Sequence, residues 1–119
     1  MRLNEIDYEG SQPPVDSYGP GGFRVRAAWH DGDLLILPSG LQAGMLSAEG
    51  LAPVLAAAAE IDVLLIGTGA DIAPLPAVVA PALEQAGIGV EIMSTPSACR
   101  TYNVLLAEDR RVAILAVAV

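Results

Sequence analysis

The chain contains no lysine, and its 119 residues include one histidine, His30, and one cysteine, Cys99. Without a lysine there is no amine to form a Schiff base with pyridoxal phosphate, no phosphate-loop lysine and no Ser-Lys dyad. A single thiol excludes an internal disulfide. Any metal site would have to be built from carboxylates, with at most one imidazole and one thiolate, and no ligand spacing of that kind is visible. Positive charge is scarce too: six arginines stand against 14 acids, a formal net charge of -8. That balance repels a phosphate backbone, so nucleic acid is not an expected partner. Long apolar runs are also missing. The longest, Leu51 to Ala59 and Val112 to Val119, fall well short of the roughly 20 residues that span a bilayer. The opening Met1 to Gly10 carries Glu5, Asp7 and Glu9 and shows no basic region followed by an apolar stretch, so no secretory signal is expected and a cytoplasmic location follows.

What is present is a chain that should fold. It is 53% hydrophobic and 17% charged, with a mean hydropathy of +0.49, richer in apolar residues than a disordered segment. The length suits one domain, residues 1–119, with one core. No internal repeat or charge block divides it.

Ser11 to Gly22 reads as a loop, with Pro13, Pro14 and Pro20 and a Pro-Gly-Gly turn before a strand-like Phe23 to Ala27. Trp29 and His30 precede Asp31-Gly32, a hairpin signal, and Asp33 to Pro38 is a continuous apolar strand buried on both faces. Leu51, Val54, Leu55 and Ala58 are spaced as on a helix, although Gly50 and Pro53 oppose an uninterrupted one. Ile61 to Ile66 predicts a second buried strand ending in Gly67-Thr68-Gly69. A helix from about Pro76 follows, kinked at Pro81 and stopped by Gly87 in a left-handed conformation. Ile88 to Met93 predicts the next strand and closes a β-α-β unit, whose crossover should be right-handed. Thr95 predicts a cap for a helix with Pro96 at its first position and Ala98, Tyr102 and Leu105 on one face. Val112 to Val119 completes the sheet, and the fold class is α/β.

Four features could carry chemistry. Gly67-Thr68-Gly69 follows a strand as a dinucleotide fingerprint does, but Ile72 stands where the third glycine belongs, and Pro74 and Pro76 delay the helix. A tight strand-to-loop turn is the stronger reading. Cys99 lies near a helix N-terminus, where backbone amides lower a thiol pKa, with Arg100 beside it. No base is adjacent, and successive helix residues point about 100° apart, so a packed, unreactive thiol is expected. Glu91 is an acid in an apolar strand, where burial demands a partner such as Arg100 or a backbone amide; a structural carboxylate is expected over a catalytic one. Ser97, Arg100, Thr101 and Asn103 form a polar helix face that is either solvated or a docking surface.

The stretch Gly87 to Leu106, reading GIGVEIMSTPSACRTYNVLL, resembles the hallmark segment of the Mth938-type domain family of unknown function. Ile6-Asp7-Tyr8, Gly22-Phe23, Leu34 to Pro38, Leu65 to Gly69 and Glu108 through Val112 also resemble it. Nearly the whole chain is covered, and Glu91 to Leu106 is its most specific part. That family includes a mitochondrial complex I assembly factor. The resemblance implies a three-layer domain with a mixed β-sheet and helices packed on it, a role in assembly without known catalysis, and no catalytic residue to carry over.

The expectation is therefore an interaction or assembly protein that works with a protein partner at the inner membrane, such as complex I or its assembly machinery, and needs no cofactor or metal. Its candidate surface comprises Gly67, Thr68, Gly69, Thr95, Arg100, Thr101 and Asn103. The alternative is a small-ligand binder or enzyme using Glu91, Cys99 and Arg100. A deep pocket holding those three together would favour the alternative.

Overall fold

The computed structural model describes residues 11–119; Met1 to Gly10, with Ile6-Asp7-Tyr8, lie outside the described residues. The chain first builds a small antiparallel sheet from β1 (Ser17–Gly19), β2 (Gly22–Val25) and β3 (Ala28–Asp31). Part of the expected loop Ser11 to Gly22 is thus a hairpin. Pro20 and Gly21, with φ 83° at the glycine, supply the expected turn between β1 and β2. The strand expected through Ala27 stops at Val25, because Arg26 and Ala27 both adopt positive φ (53° and 63°) and form the two-residue turn to β3.

Asp31-Gly32 does not make a hairpin. The chain leaves the small sheet there and enters the main one as β4 (Leu34–Leu37), which turns back into β5 (Gly40–Ala43). The helical spacing around residues 51–58 yields one short helix, α1 (Ala52–Ala56), flanked by 3-10 turns at Glu49–Leu51 and Ala58–Glu60. Then come β6 (Val63–Gly67), α2 (Val79–Gln85), β7 (Gly89–Met93), α3 (Thr95–Ala107) and β8 (Val112–Ala116). Helix α2 starts at Val79 rather than near Pro76, so Pro81 falls in the first turn, where its missing N–H would have had no intrahelical partner. Gly87, at φ 79°, ends α2 as expected: its amide donates to the Glu84 carbonyl and that of Ile88 to Leu83.

The main sheet runs β5-β4-β8-β6-β7. β6 pairs in parallel with β7 and β8, whereas β4 pairs antiparallel with β8 and β5. Period-2 alternation divides its side chains between two cores. On one face Leu34, Ile36, Leu65, Val112, Ile114 and Ala116 meet Ala98, Cys99 and Tyr102 of α3 and Val15, Phe23 and Val25 from the small sheet and its leading segment. On the other, Leu35, Leu37, Leu64, Ile66, Ala113 and Leu115 lie against Leu51, Val54, Ile61, Val79, Leu83 and Ile88. Burying a side chain of this size stabilises the fold by roughly 1.5–3 kcal/mol. A mixed sheet between two covering layers is the result. No helix among the described residues is long and apolar enough to cross a membrane.

Candidate functional site

In open α/β sheets ligands gather beyond the carboxyl ends of the parallel strands. Here that rim is occupied by the chain itself. Gly67 ends β6 in close contact with the start of α3; a Cβ at this position would lie 2.8 Å from the Thr95 Cα and 3.2 Å from the Ala98 Cβ. The approach brings Thr95 into a two-way pairing with Gly69. The Thr95 amide donates to the Gly69 carbonyl (2.7 Å), and the Gly69 amide donates to Thr95 Oγ1 (2.9 Å). The same hydroxyl donates to the Val117 carbonyl (2.6 Å), just past β8.

Thr68 closes the loop beyond. Its amide donates to the Met93 carbonyl (3.0 Å), its hydroxyl donates to the Asp71 carbonyl (2.9 Å), and the same oxygen accepts from the Ala73 amide (2.9 Å). The Thr68 and Gly69 amides, which a phosphate cradle would leave pointing outward, are both used internally. The glycine turn is thus a structural clasp between β6, α3 and β8. Thr95 is 0% exposed and is the first residue of α3 rather than its cap. The cap is Ser94, whose hydroxyl accepts from the Ser97 amide, so Pro96 is the second helical residue rather than the first.

Tyr102 and Asn103, about two turns beyond Thr95 along α3, hold the segment that leads into β1. The fully buried Tyr102 hydroxyl donates to the Pro13 carbonyl (2.6 Å). Asn103 accepts from the Val15 amide (2.9 Å) and donates to the Val15 carbonyl (2.8 Å). Gln12 adds a bond from its side-chain amide to the Val112 carbonyl (2.6 Å). Asn103, expected on a free polar face, is therefore engaged by the chain's own backbone. Of the seven candidate surface residues, Gly67, Gly69 and Thr95 are buried, Thr68, Thr101 and Asn103 are partly buried, and only Arg100 is well exposed.

Burial sets Cys99 apart from Glu91 and Arg100, which are both exposed. Cys99, 4% exposed, faces the core between α3 and the sheet, and burial pushes its thiol up to about 11, against the pull of Arg100. Arg100 is exposed and donates to Ser97 Oγ (3.3 Å). Glu91, expected to be buried and paired, is exposed because β7 is an edge strand, and a charge there is solvated. An acid in an otherwise apolar strand is the signal that could have marked this edge.

Two concavities lie elsewhere. One, of about 190 Å³, is bounded by His30, Asp31, Asp33, Leu34, Leu41, Gln42 and Ala43. The other, of about 360 Å³, lies between α2 and the start of β7 and is lined by Ala80, Glu84, Ile88, Gly89 and Val90. Neither contains Glu91, Cys99 or Arg100. Among the described residues no three of His, Cys, Asp and Glu gather in a way that could hold a metal ion.

Residues 15–117 match the family described as a protein of unknown function, DUF498/DUF598. An uncharacterised protein of Rhodobacter capsulatus is 50% identical over 114 residues, 94% of this chain and 89% of that protein. NADH dehydrogenase [ubiquinone] 1 alpha subcomplex assembly factor 3 of Danio rerio is 35% identical over 102 residues; the match covers 81% of this chain but 59% of that longer protein. Among solved structures, an outer membrane protein from Bartonella henselae superimposes with a TM-score of 0.86 at 41% identity, covering 92% of this chain and 97% of that one. A Mth938-like domain from Bordetella pertussis does so with a TM-score of 0.68 at 27% identity, covering 88% and 85%. The mixed sheet, its covering helices and these matches agree with the resemblance of the Glu91 to Leu106 stretch, and the chain belongs to the DUF498/DUF598, Mth938-type family that also includes complex I assembly factor 3.

Proposed function

We propose that this protein is an interaction module that assists the assembly of an inner-membrane complex, with respiratory complex I the first candidate. The observation that carries this reading is the 35% identity with a complex I assembly factor over 81% of this chain. The geometry is compatible with it. The rim where α/β enzymes hold ligands is filled by Thr95 and the glycine clasp, while further along α3 the exposed Arg100 and partly exposed Thr101 offer a polar helix surface. The rival reading, a small-ligand binder or enzyme, would be favoured by a deep pocket holding Glu91, Cys99 and Arg100 together; Cys99 is instead packed in the core, whereas Glu91 and Arg100 are exposed.

A deletion strain tests the proposal. Native gels of its membranes should show less assembled complex I with subunit transcripts unchanged, and re-expression of the intact chain should restore it. Normal levels of complex I and of the other membrane complexes, together with accumulation of a metabolite, would overturn the assembly reading in favour of an enzyme.

A further inference from the structure

We propose that the open edge of β7 and the groove between it and α2 take an extended, basic segment of a partner protein as a sixth strand of the main sheet. This rests on the reading of the protein as an interaction module and specifies the surface and the chemistry of what docks there.

Among the described residues β7 has a neighbour on one side only, β6. The Gly89 amide donates to the Asp62 carbonyl, and the Met93 carbonyl accepts from the Thr68 amide. In a strand paired in parallel, a residue turns both its N–H and its C=O to the same side, and successive residues alternate. Gly89, Glu91 and Met93 therefore face β6, and Val90 and Ile92 turn their amides and carbonyls outward. No described segment pairs with these four groups. They form a short template for another strand.

The surroundings select the occupant. Beside the edge runs the groove of about 360 Å³, walled by Ala80 and Glu84 of α2 and floored by Ile88, Gly89 and Val90. Beyond it Ile92 is 40% exposed. An added strand would thus place apolar side chains over Val90 and Ile92. Its other face would look toward the exposed Glu91, and its flank toward Glu84. Both charged groups at the site are acids, on a chain of net charge -8, so arginine or lysine is the complementary choice. A second copy of this chain fits poorly. Two-fold antiparallel pairing centred on Glu91 would set that carboxylate opposite its own equivalent, and directly opposed like charges weaken a ladder.

The test uses the intact protein and acetylated, amidated hexapeptides. The main probe alternates arginine and valine; a second alternates glutamate and valine; a third is the arginine-valine peptide with N-methyl groups on alternate residues, which removes the ladder donors. Amide resonances and hydrogen exchange report the site. The arginine-valine peptide should shift and protect the Val90 and Ile92 amides, and should bind at least about tenfold more tightly than the glutamate-valine peptide. Glu84→Gln with Glu91→Gln should remove most of that preference. Ile92→Pro, which deletes an outward donor and no internal one, should abolish binding while the melt stays cooperative.

Equal binding of the N-methylated peptide would overturn the proposal without any mutant having to fold. Perturbations confined to β5, or a free protein that sediments as a dimer with Val90 and Ile92 already protected, would overturn it as well. The outcomes separate this site from the assembly role. If Ile92→Pro lost peptide binding yet restored complex I in the deletion strain, the edge would be a peptide site with no part in assembly. If the deletion strain had normal complexes but the peptide bound as described, the assembly reading alone would fail.

Discussion

The side-chain amide of Asn103 pairs with both backbone groups of Val15, accepting from its N–H at 2.9 Å and donating to its C=O at 2.8 Å. This is the hydrogen-bond pattern of a strand neighbour, supplied by a helix residue 88 positions away in sequence. Asn103→Ala removes both bonds and leaves two partly buried backbone groups unmatched, so it should lower stability by about 1–3 kcal/mol in denaturant titration. Asn103→Asp, which keeps one acceptor and loses the donor, should fall between. If Asn103→Ala melted like the unaltered protein while losing a binding partner, the residue would belong to a docking face after all.

Thr95→Val tests the clasp at the sheet rim. The two side chains have similar shape, but valine cannot accept from the Gly69 amide or donate to the Val117 carbonyl. Because Thr95 is fully buried, a loss of about 1–3 kcal/mol is expected, and amide exchange at Gly69 should speed up. Gly67→Ala should also destabilise, since its Cβ would meet the Thr95 backbone at 2.8 Å and helix α3 would have to move outward.

Stability should decline in alkali. Burial pushes the Cys99 thiol from an ordinary 9.0 to about 11, and burial raises the Tyr102 hydroxyl as well, against the opposing effects of the Gln12 side chain and Arg26. Both groups hold their protons longer in the folded chain than in the unfolded one. For the thiol, the stabilisation is complete below pH 9.0 and is lost as pH rises toward about 11. Melting temperature measured across that window should fall, and Cys99→Ala should make the fall shallower. Alkylation of Cys99 in the native protein near neutral pH should be slow and should accelerate in denaturant; fast native labelling would contradict its packing.

Glu91→Ala should change stability by less than about 0.5 kcal/mol, as for other exposed positions away from special contacts. A large loss in a thermal melt would mean that the carboxylate has a partner.

Asp109→Gly should stabilise the chain. Asp109 has φ 64° just beyond α3, where its amide donates to Leu106 and the Arg110 amide to Leu105. Releasing an L-residue from the left-handed region is worth up to about 1 kcal/mol here, offset in part by the greater unfolded-state freedom of glycine. A drop in melting temperature would mean that the Asp109 side chain contributes more than its backbone costs.

The parts of the fold legible in the sequence were those governed by local chemistry. The β6-α2-β7 unit, the Gly87 stop and the doubly buried runs Leu34 to Leu37 and Leu64 to Ile66 follow from periodicity and turn residues. What stayed hidden depends on which segments become neighbours. Glu91 is an acid in an apolar run, which fits either a buried, paired carboxylate or a solvated edge strand, and the choice between them depends on which strands flank β7. Asp31-Gly32 has the chemistry of a hairpin, yet the strands on either side of it join different sheets. At the candidate site, the helix start and the glycine turn could be located, but not that Thr95 and Gly69 would consume each other's polar groups. Nor could the sequence show that Asn103 would reach back to Val15.

Strand β8 lies at the centre of the main sheet, between β4 and β6, although it follows both in the chain. On a ribosome, β4 with β5 and β6 with β7 emerge as two separate half-sheets, each with an unpaired apolar edge, until residues up to Ala116 have cleared the exit tunnel. The wedge that joins them arrives last. Synthesis therefore gives little opportunity for stepwise folding, and strand edges that have emerged stay unpaired until β8 follows them. A ribosome-bound chain stalled before Val112 should be open to protease and held by chaperones, and protection should appear abruptly once β8 is free to insert.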